Sequence, residues 1–218
     1  MAFSWQLFNQ TPVIGILRGV PTNTIKKFTP IYLESGFTTL EITMNSAGAT
    51  ESIKILRDEF GNNLNIGAGT VCSEQDLDKA LDAGANFIVT PIINEKVIRF
   101  CVKEQIPIFP GAYSPTEIYN AWQMGASMIK VFPATSVGPS YIKEVKAPLN
   151  QIKLLPTGGV SIENMTEFFR AGADGVGMGS QLFPKTLVGS SDTEALGKHF
   201  QKVYKTYQQF KIDEIPEK

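Results

Sequence analysis

The chain has 218 residues, 43% hydrophobic and 19% charged, with a formal net charge of -1 and a pI near 5.9. That balance leaves no electrostatic footprint for nucleic acid or an acidic membrane surface, and makes small molecules the expected partners. A single domain over residues 1–218 fits the length, because α/β barrels of this size fold as one unit around a sizeable core.

The opening stretch, MAFSWQLFNQTP, has no basic segment, long apolar core or small-residue cleavage site, so it reads as a short N-terminal helix rather than a secretory signal. The longest apolar runs, such as NFIVTPII, are strand-length and far below the roughly 20 residues that span a bilayer. A cytoplasmic protein is expected. Two cysteines, Cys72 and Cys101, suit that compartment, since neither their number nor their spacing suggests a disulfide scaffold or a zinc site.

After the first helix the chain alternates short β-branched runs with longer helical patterns. Strands are expected over 13–18, 38–44, 64–71 and 86–91, then 106–112, 127–134, 152–159 and 174–180. Among the intervening helices, SEQDLDKALDAG carries a Ser73 cap with acidic residues in its first turn, and SIENMTEFFRAG offers Ser161 in the same role. Gly36, Gly84, Gly125 and Gly172 recur at intervals of 48, 41 and 47 residues, each closing a helix just before a strand. A glycine there supplies the left-handed conformation of a tight αβ turn. Two βα units per interval, four times over, predict a (β/α)8 TIM barrel, with a doubly wound open sheet as the alternative. Phe168, Phe169 and Trp122 read as helix faces packed on that barrel, and Lys26 and Lys27 as a solvated face.

In such a fold chemistry sits at the carboxyl ends of the strands. The polar residues placed there are Arg18, Glu41, Thr43, Asn45, Thr70, Thr90, Tyr113, Ser114, Lys130, Thr157 and Ser180. PTGG at 156–159 and GMGS at 177–180 follow the seventh and eighth strands, where glycine backbones expose N–H groups to a phosphate; tight turns alone would also use glycine. Lys130 lies between Ile129 and Val131, so burial lowers its pKa and makes the amine a nucleophile able to condense with a ketone. Glu41, between Leu40 and Ile42, points inward as a general acid/base. The alternative is a structural ion pair between the two. His199 is the one histidine and cannot build a zinc or triad site alone, so metal-independent chemistry is expected. Cys72 follows the third strand and reads as a small buried apolar group, with an approach to the mouth of the site as the alternative.

The motifs ILRG, LEIT, GAGTV, VTP, FPGA, IKVFPA, PTGGV and GMGS, in this order across nearly the whole chain, resemble the class I aldolases that cleave 2-keto-3-deoxy-6-phosphogluconate and related 2-keto acids. The resemblance implies a (β/α)8 barrel, a homotrimer, and no metal or organic cofactor. It implies Lys130 as the Schiff-base residue and Glu41 as the acid/base. Thr70 would help hold the pyruvate carboxylate, with Pro91 and Phe132 shaping an apolar pocket. Thr157, Gly158, Gly159, Gly179 and Ser180 would meet the distal hydroxyls and the phosphate. Where the phosphogluconate enzymes often carry an arginine four residues after the glutamate, this chain has Asn45. Arg18 could then supply the bidentate carboxylate contact from the opposite side. ILRG, Asn45 and SVGPSYIK look like the phosphogalactonate branch, whereas Thr157 looks like the gluconate branch. The expected reaction is reversible retro-aldol cleavage of the phosphogluconate-derived keto acid to pyruvate and glyceraldehyde 3-phosphate. The galactonate epimer and 4-hydroxy-2-oxoglutarate are alternative substrates, and a non-catalytic phosphoester-binding barrel is the rival of a different class.

Overall fold

A computed structural model describes residues 2–190 and 192–214. Nine parallel strands alternate with helices: β1 (Val13–Leu17), β2 (Thr39–Thr43), β3 (Asn65–Gly69), β4 (Ile88–Val89), β5 (Ile108–Phe109), β6 (Gly111–Ala112), β7 (Ile129–Val131), β8 (Leu154–Pro156) and β9 (Val176–Met178). Each lies inside a stretch expected from sequence. The expected first helix is Trp5–Gln10, and the last runs Thr193–Asp213. Ser73 caps Glu74–Asp82 by accepting from the Asp76 N–H at 3.1 Å. All four periodic glycines have positive φ, between 92° and 97°. The Ser161 cap is not observed. That helix is Met165–Arg170 with Asn164 before it, because the Asn164 side chain turns back to accept from the Ser161 N–H and holds 162–164 in a turn.

The hydrogen-bonded ladder differs from one eight-stranded ring. A curled six-stranded sheet has the order β5-β4-β3-β2-β1-β9, and a separate sheet the order β6-β7-β8. Prolines account for both seams. Pro110 divides the expected fifth strand: its carbonyl accepts from the Lys130 N–H on β7, but it has no donor to return. The next N–H, of Gly111, goes to the Thr90 hydroxyl rather than to a β4 carbonyl. Along β8, successive N–H groups alternate in direction. Thr157 donates to Val131 in β7 and Leu154 to the Asp174 carboxylate beside β9, so Pro156 lacks its donor on the β9 side. A single bridge, Thr157 to Gly177, lies there.

Inward-facing residues follow a period of two through every strand. At the amino ends, Ile14, Phe87, Val89, Phe109, Met128 and Leu155 form a cluster with Phe3 and Phe8 of the N-terminal segment. Trp5 packs edge-on against Phe3 and Phe8. The first helix therefore covers this end of the strands. Asn65, inward-facing in β3, fixes the segment by accepting from the Ser4 N–H at 2.8 Å and donating to the Ser4 carbonyl at 2.9 Å. The helices pack their apolar faces on the outside in a second, larger cluster that includes Phe28 and Phe168, with Phe169 and Trp122 partly buried against it. Lys26 and Lys27 are exposed as expected. No described helix is long and apolar enough to cross a membrane.

Candidate active site

One layer above the aromatic cluster, the inward positions turn from apolar to charged. Lys130 in the middle of β7 is 5% exposed and Glu41 in the middle of β2 is 1% exposed. Both backbones are held in ladders, Glu41 opposite Ile16 and Gly67, Lys130 opposite Gly111 and Leu155. The strands therefore fix the two side chains in a shared interior.

Gly69 shows how tightly Glu41 is held. A Cβ built at Gly69 would come within 1.7 Å of the Glu41 Oε1, so β3 needs a glycine beside the carboxylate. Two further inward glycines yield in the same way, Gly67 to the Phe87 ring and Gly177 to the Thr157 hydroxyl. Glycine inside a strand marks close approach, and here the approaching groups are the large interior side chains of neighbouring strands.

Burial and charge set the protonation of the pair. Desolvation is the largest influence on Lys130 and pushes its pKa below the ordinary lysine range; the Glu41 carboxylate pulls it back up, and the Arg18 guanidinium pushes it further down. Desolvation likewise raises the Glu41 pKa above the usual carboxylate range, against the fields of Lys130 and Arg18. A weakly basic amine beside a carboxyl group that can hold a proton is chemically able to form a carbinolamine with a ketone and to relay protons around it. The Lys130 Nζ also lies 5.1 Å from the centre of the Phe132 ring, which is 37% exposed and forms an apolar wall on the same inward face.

Arg18, just beyond β1, donates from Nη2 to the Thr70 hydroxyl at 3.5 Å. Thr70 adopts φ of 57°, a left-handed conformation that is rare for a β-branched residue and costs on the order of 1–3 kcal/mol. The strain turns the chain sharply after β3 and sets the hydroxyl beside Arg18. Pro91 is half-buried, and its backbone would meet a Cβ at Gly111 at 2.4 Å, so it packs directly over the strand next to Lys130. Asn45 is exposed in the turn after β2.

A cavity of about 890 Å³ opens beside Arg18. Thr157, Gly158, Gly159, Gly179 and Ser180 all line it, so the structure brings the two glycine loops together in one wall. Gly158 and Gly159 have φ of 94° and 74°, which only glycine adopts readily. Thr157 is buried, and its hydroxyl donates to the Leu155 carbonyl at 3.3 Å. Sequence reasoning did not single out Thr24, Gln181, Phe183 or Lys185, which also line the cavity. Only Lys185 among them offered a signal, as a cation a few residues beyond GMGS. Cys72 is half-buried rather than fully buried; its carbonyl accepts from Asn94, and Lys130 is near enough to influence its thiol. His199 lies outside this layer and contacts the Gln181 carbonyl at 2.9 Å. Among the described residues no group of three or more His, Cys, Asp or Glu side chains could hold a metal.

Residues 6–199 match the family model for KDPG and KHG aldolases. This chain belongs to the KDPG and KHG aldolase family. It is 37% identical over 180 residues to the 2-dehydro-3-deoxy-6-phosphogalactonate aldolase of Escherichia coli K12, covering 82% of this chain and 87% of that one. A native KDPGal structure superposes with a TM-score of 0.87 at 32% identity, over 97% of this chain and all (100%) of the other. The KDPG aldolase from Legionella pneumophila, with pyruvate captured as a covalent carbinolamine, superposes with a TM-score of 0.84 at 26% identity, over 90% and 96% of the two chains. Family members of both sugar configurations are thus similar to this chain.

Proposed function

We propose that this protein is a Schiff-base aldolase that cleaves a 2-dehydro-3-deoxy-6-phospho sugar acid to pyruvate and glyceraldehyde 3-phosphate. The observation that carries the reading is the buried, weakly basic Lys130 beside the buried Glu41, one layer above a sealed strand end and next to the glycine-loop cavity. The Lys130 Nζ attacks the substrate C2 carbonyl, and loss of water from the carbinolamine gives the iminium. Glu41 accepts the proton of the C4 hydroxyl through water as the C3–C4 bond breaks, and the bond's electron pair moves into the iminium to give an enamine. Glyceraldehyde 3-phosphate leaves; protonation at C3 and hydrolysis then release pyruvate and the free amine. Arg18 and Thr70 hold the carboxylate, Pro91 and Phe132 bound the methylene, and Asn45 lies at the rim. Thr157, Gly158, Gly159, Gly179 and Ser180 receive the distal hydroxyls and phosphate.

In this reading the two sheets are one (β/α)8 barrel with seams at Pro110 and Pro156. A cytoplasmic homotrimer without a cofactor goes with it, and solution scattering should give three times the 23.9 kDa chain mass.

Reduction with borohydride in the presence of pyruvate is expected to fix a three-carbon adduct on Lys130, located by peptide mass spectrometry. An unmodified Lys130 would overturn the Schiff-base reading. Configuration at C4 is the second question: Asn45 and the similarity to phosphogalactonate aldolases favour one epimer, whereas the buried Thr157 hydroxyl favours the other. Specificity constants for the two epimers, measured side by side, decide between them.

Gly69→Ala tests the placement of Glu41 without touching its chemistry. The added methyl has no room beside Oε1, so the carboxylate must shift. A displacement of about 1 Å in a positioned group costs on the order of 10²-fold in rate. Turnover should fall by that scale while circular dichroism stays native; full turnover would show that Glu41 needs no such positioning.

A further inference from the structure

We propose that Lys185 is the cation that reads the substrate's distal phosphate and sets this chain's preference for a phosphorylated sugar acid over a dicarboxylic one. The inference rests on the aldolase reading for its substrate class.

The cavity beside the reacting layer has two charged lining residues, Arg18 and Lys185, and no acidic side chain lines it. The charged part of its lining is therefore wholly cationic, which suits an anionic ligand. Arg18 is committed to the reacting end, since it donates to Thr70 and its field acts on both Glu41 and Lys130. Lys185 stands beyond the glycine loops and, among the described residues, makes no ion pair. The N–H groups of Ser180 and Gln181 donate to no protein acceptor among the described residues, while the next two, of Leu182 and Phe183, both turn back to the Gly179 carbonyl. Ser180 and Gln181, with open N–H groups, and Lys185, in no ion pair, thus line the same cavity.

The backbone that carries Lys185 is anchored. The Leu187 and Val188 N–H groups donate to the Pro184 carbonyl at 3.0 and 2.9 Å, and the Gly189 N–H closes on the Lys185 carbonyl at 2.9 Å. Phe183 and Val188 on either side are buried. Lys185 itself remains exposed, so ligand contact costs it little desolvation. A phosphate monoester near neutral pH carries about -1.5 to -2 charge on three acceptor oxygens, against one charge on a carboxylate. A lysine and paired N–H groups therefore gain more from the phosphoester than from the second carboxylate of 4-hydroxy-2-oxoglutarate.

The test compares wild type, Lys185→Met and Lys185→Arg on the phosphorylated sugar acid and on 4-hydroxy-2-oxoglutarate. In the methionine variant the ratio of kcat/KM for the phosphorylated substrate to that for the dicarboxylate should fall by about tenfold to a hundredfold, the range for one charge-assisted hydrogen bond, chiefly through KM. The arginine variant should restore most of the ratio, which a merely structural role for the aliphatic stem would not require. An unchanged ratio overturns the proposal. Titration of inorganic phosphate into wild type and the methionine variant reads the same contact without catalysis. Weaker phosphate binding in the variant supports Lys185 even if the protein traps no pyruvate, an outcome that would fail the aldolase reading alone; equal binding fails Lys185 and leaves that reading intact.

Discussion

Replacing Lys130 with methionine is expected to lower kcat by roughly 10⁶-fold, the scale seen when a covalent nucleophile is removed. Methionine keeps the length and volume of the stem, so the interior layer should still fill and the fold survive. Stability should move in the opposite direction to activity once Glu41 is neutralised as well. The folded pKa of Lys130 lies below its unfolded value, so the unfolded chain binds this proton more readily, and stability falls as pH drops through the window between the two. The folded pKa of Glu41 lies above its unfolded value, so stability falls as pH rises through that second window. Near neutral pH both groups oppose folding, because desolvation outweighs their mutual attraction in each case. The double variant Lys130→Met, Glu41→Met, which replaces both buried charges by apolar groups of similar volume, should therefore be about 1–4 kcal/mol more stable than the parent. Urea unfolding midpoints at pH 7 measure this, and a less stable double variant would show that the two groups hold the interior together. Turnover above background in Lys130→Met would remove the covalent mechanism.

Glu41→Gln should reduce kcat by about 10²- to 10⁴-fold, the usual contribution of a positioned general acid or base. The amide is nearly isosteric and sits in the same space over Gly69. Trapping of pyruvate on Lys130 should persist with similar affinity, so the loss falls on turnover rather than on binding. Equal losses in both would point to a structural carboxylate. The pH profile adds a second reading. Glu41 raises the Lys130 pKa, so its neutralisation should move the acid limb of kcat/KM to lower pH. A limb that moves upward, or not at all, would mean that the two groups are not coupled in the free enzyme.

Much of this was open to inspection in the sequence because each part has a local physical cause. Strands announce themselves by β-branched runs, and the positive φ of Gly36, Gly84, Gly125 and Gly172 follows from helix ends that must turn at once into strands. Lys130 was legible because a charge amid Ile129, Val131 and Phe132 contradicts its surroundings. What escaped depends on partners far away in the chain. That Pro110 and Pro156 interrupt the ladder is visible only when the missing N–H groups are given a direction. The turn at 162–164 was hidden because Ser161 and Asn164 both suit a cap, and the Asn164 side chain's contact with the Ser161 N–H settles the competition. Thr70 carries no residue-type signal for its left-handed backbone, since threonine ordinarily avoids it. Lys185 reads as an ordinary surface lysine until the loop after β9 brings it into the cavity wall.

The aromatic cluster at the amino ends of the strands gives these experiments a built-in spectroscopic control. The chain has two tryptophans: Trp5 sits in that cluster, and Trp122 packs on the outer helical face. Neither indole lines the cavity. Intrinsic tryptophan emission should therefore follow unfolding while staying nearly silent to pyruvate and phosphate. Variants at Lys130, Glu41, Gly69 and Lys185 can then be sorted in a single cuvette into those that have lost their chemistry and those that have lost their fold.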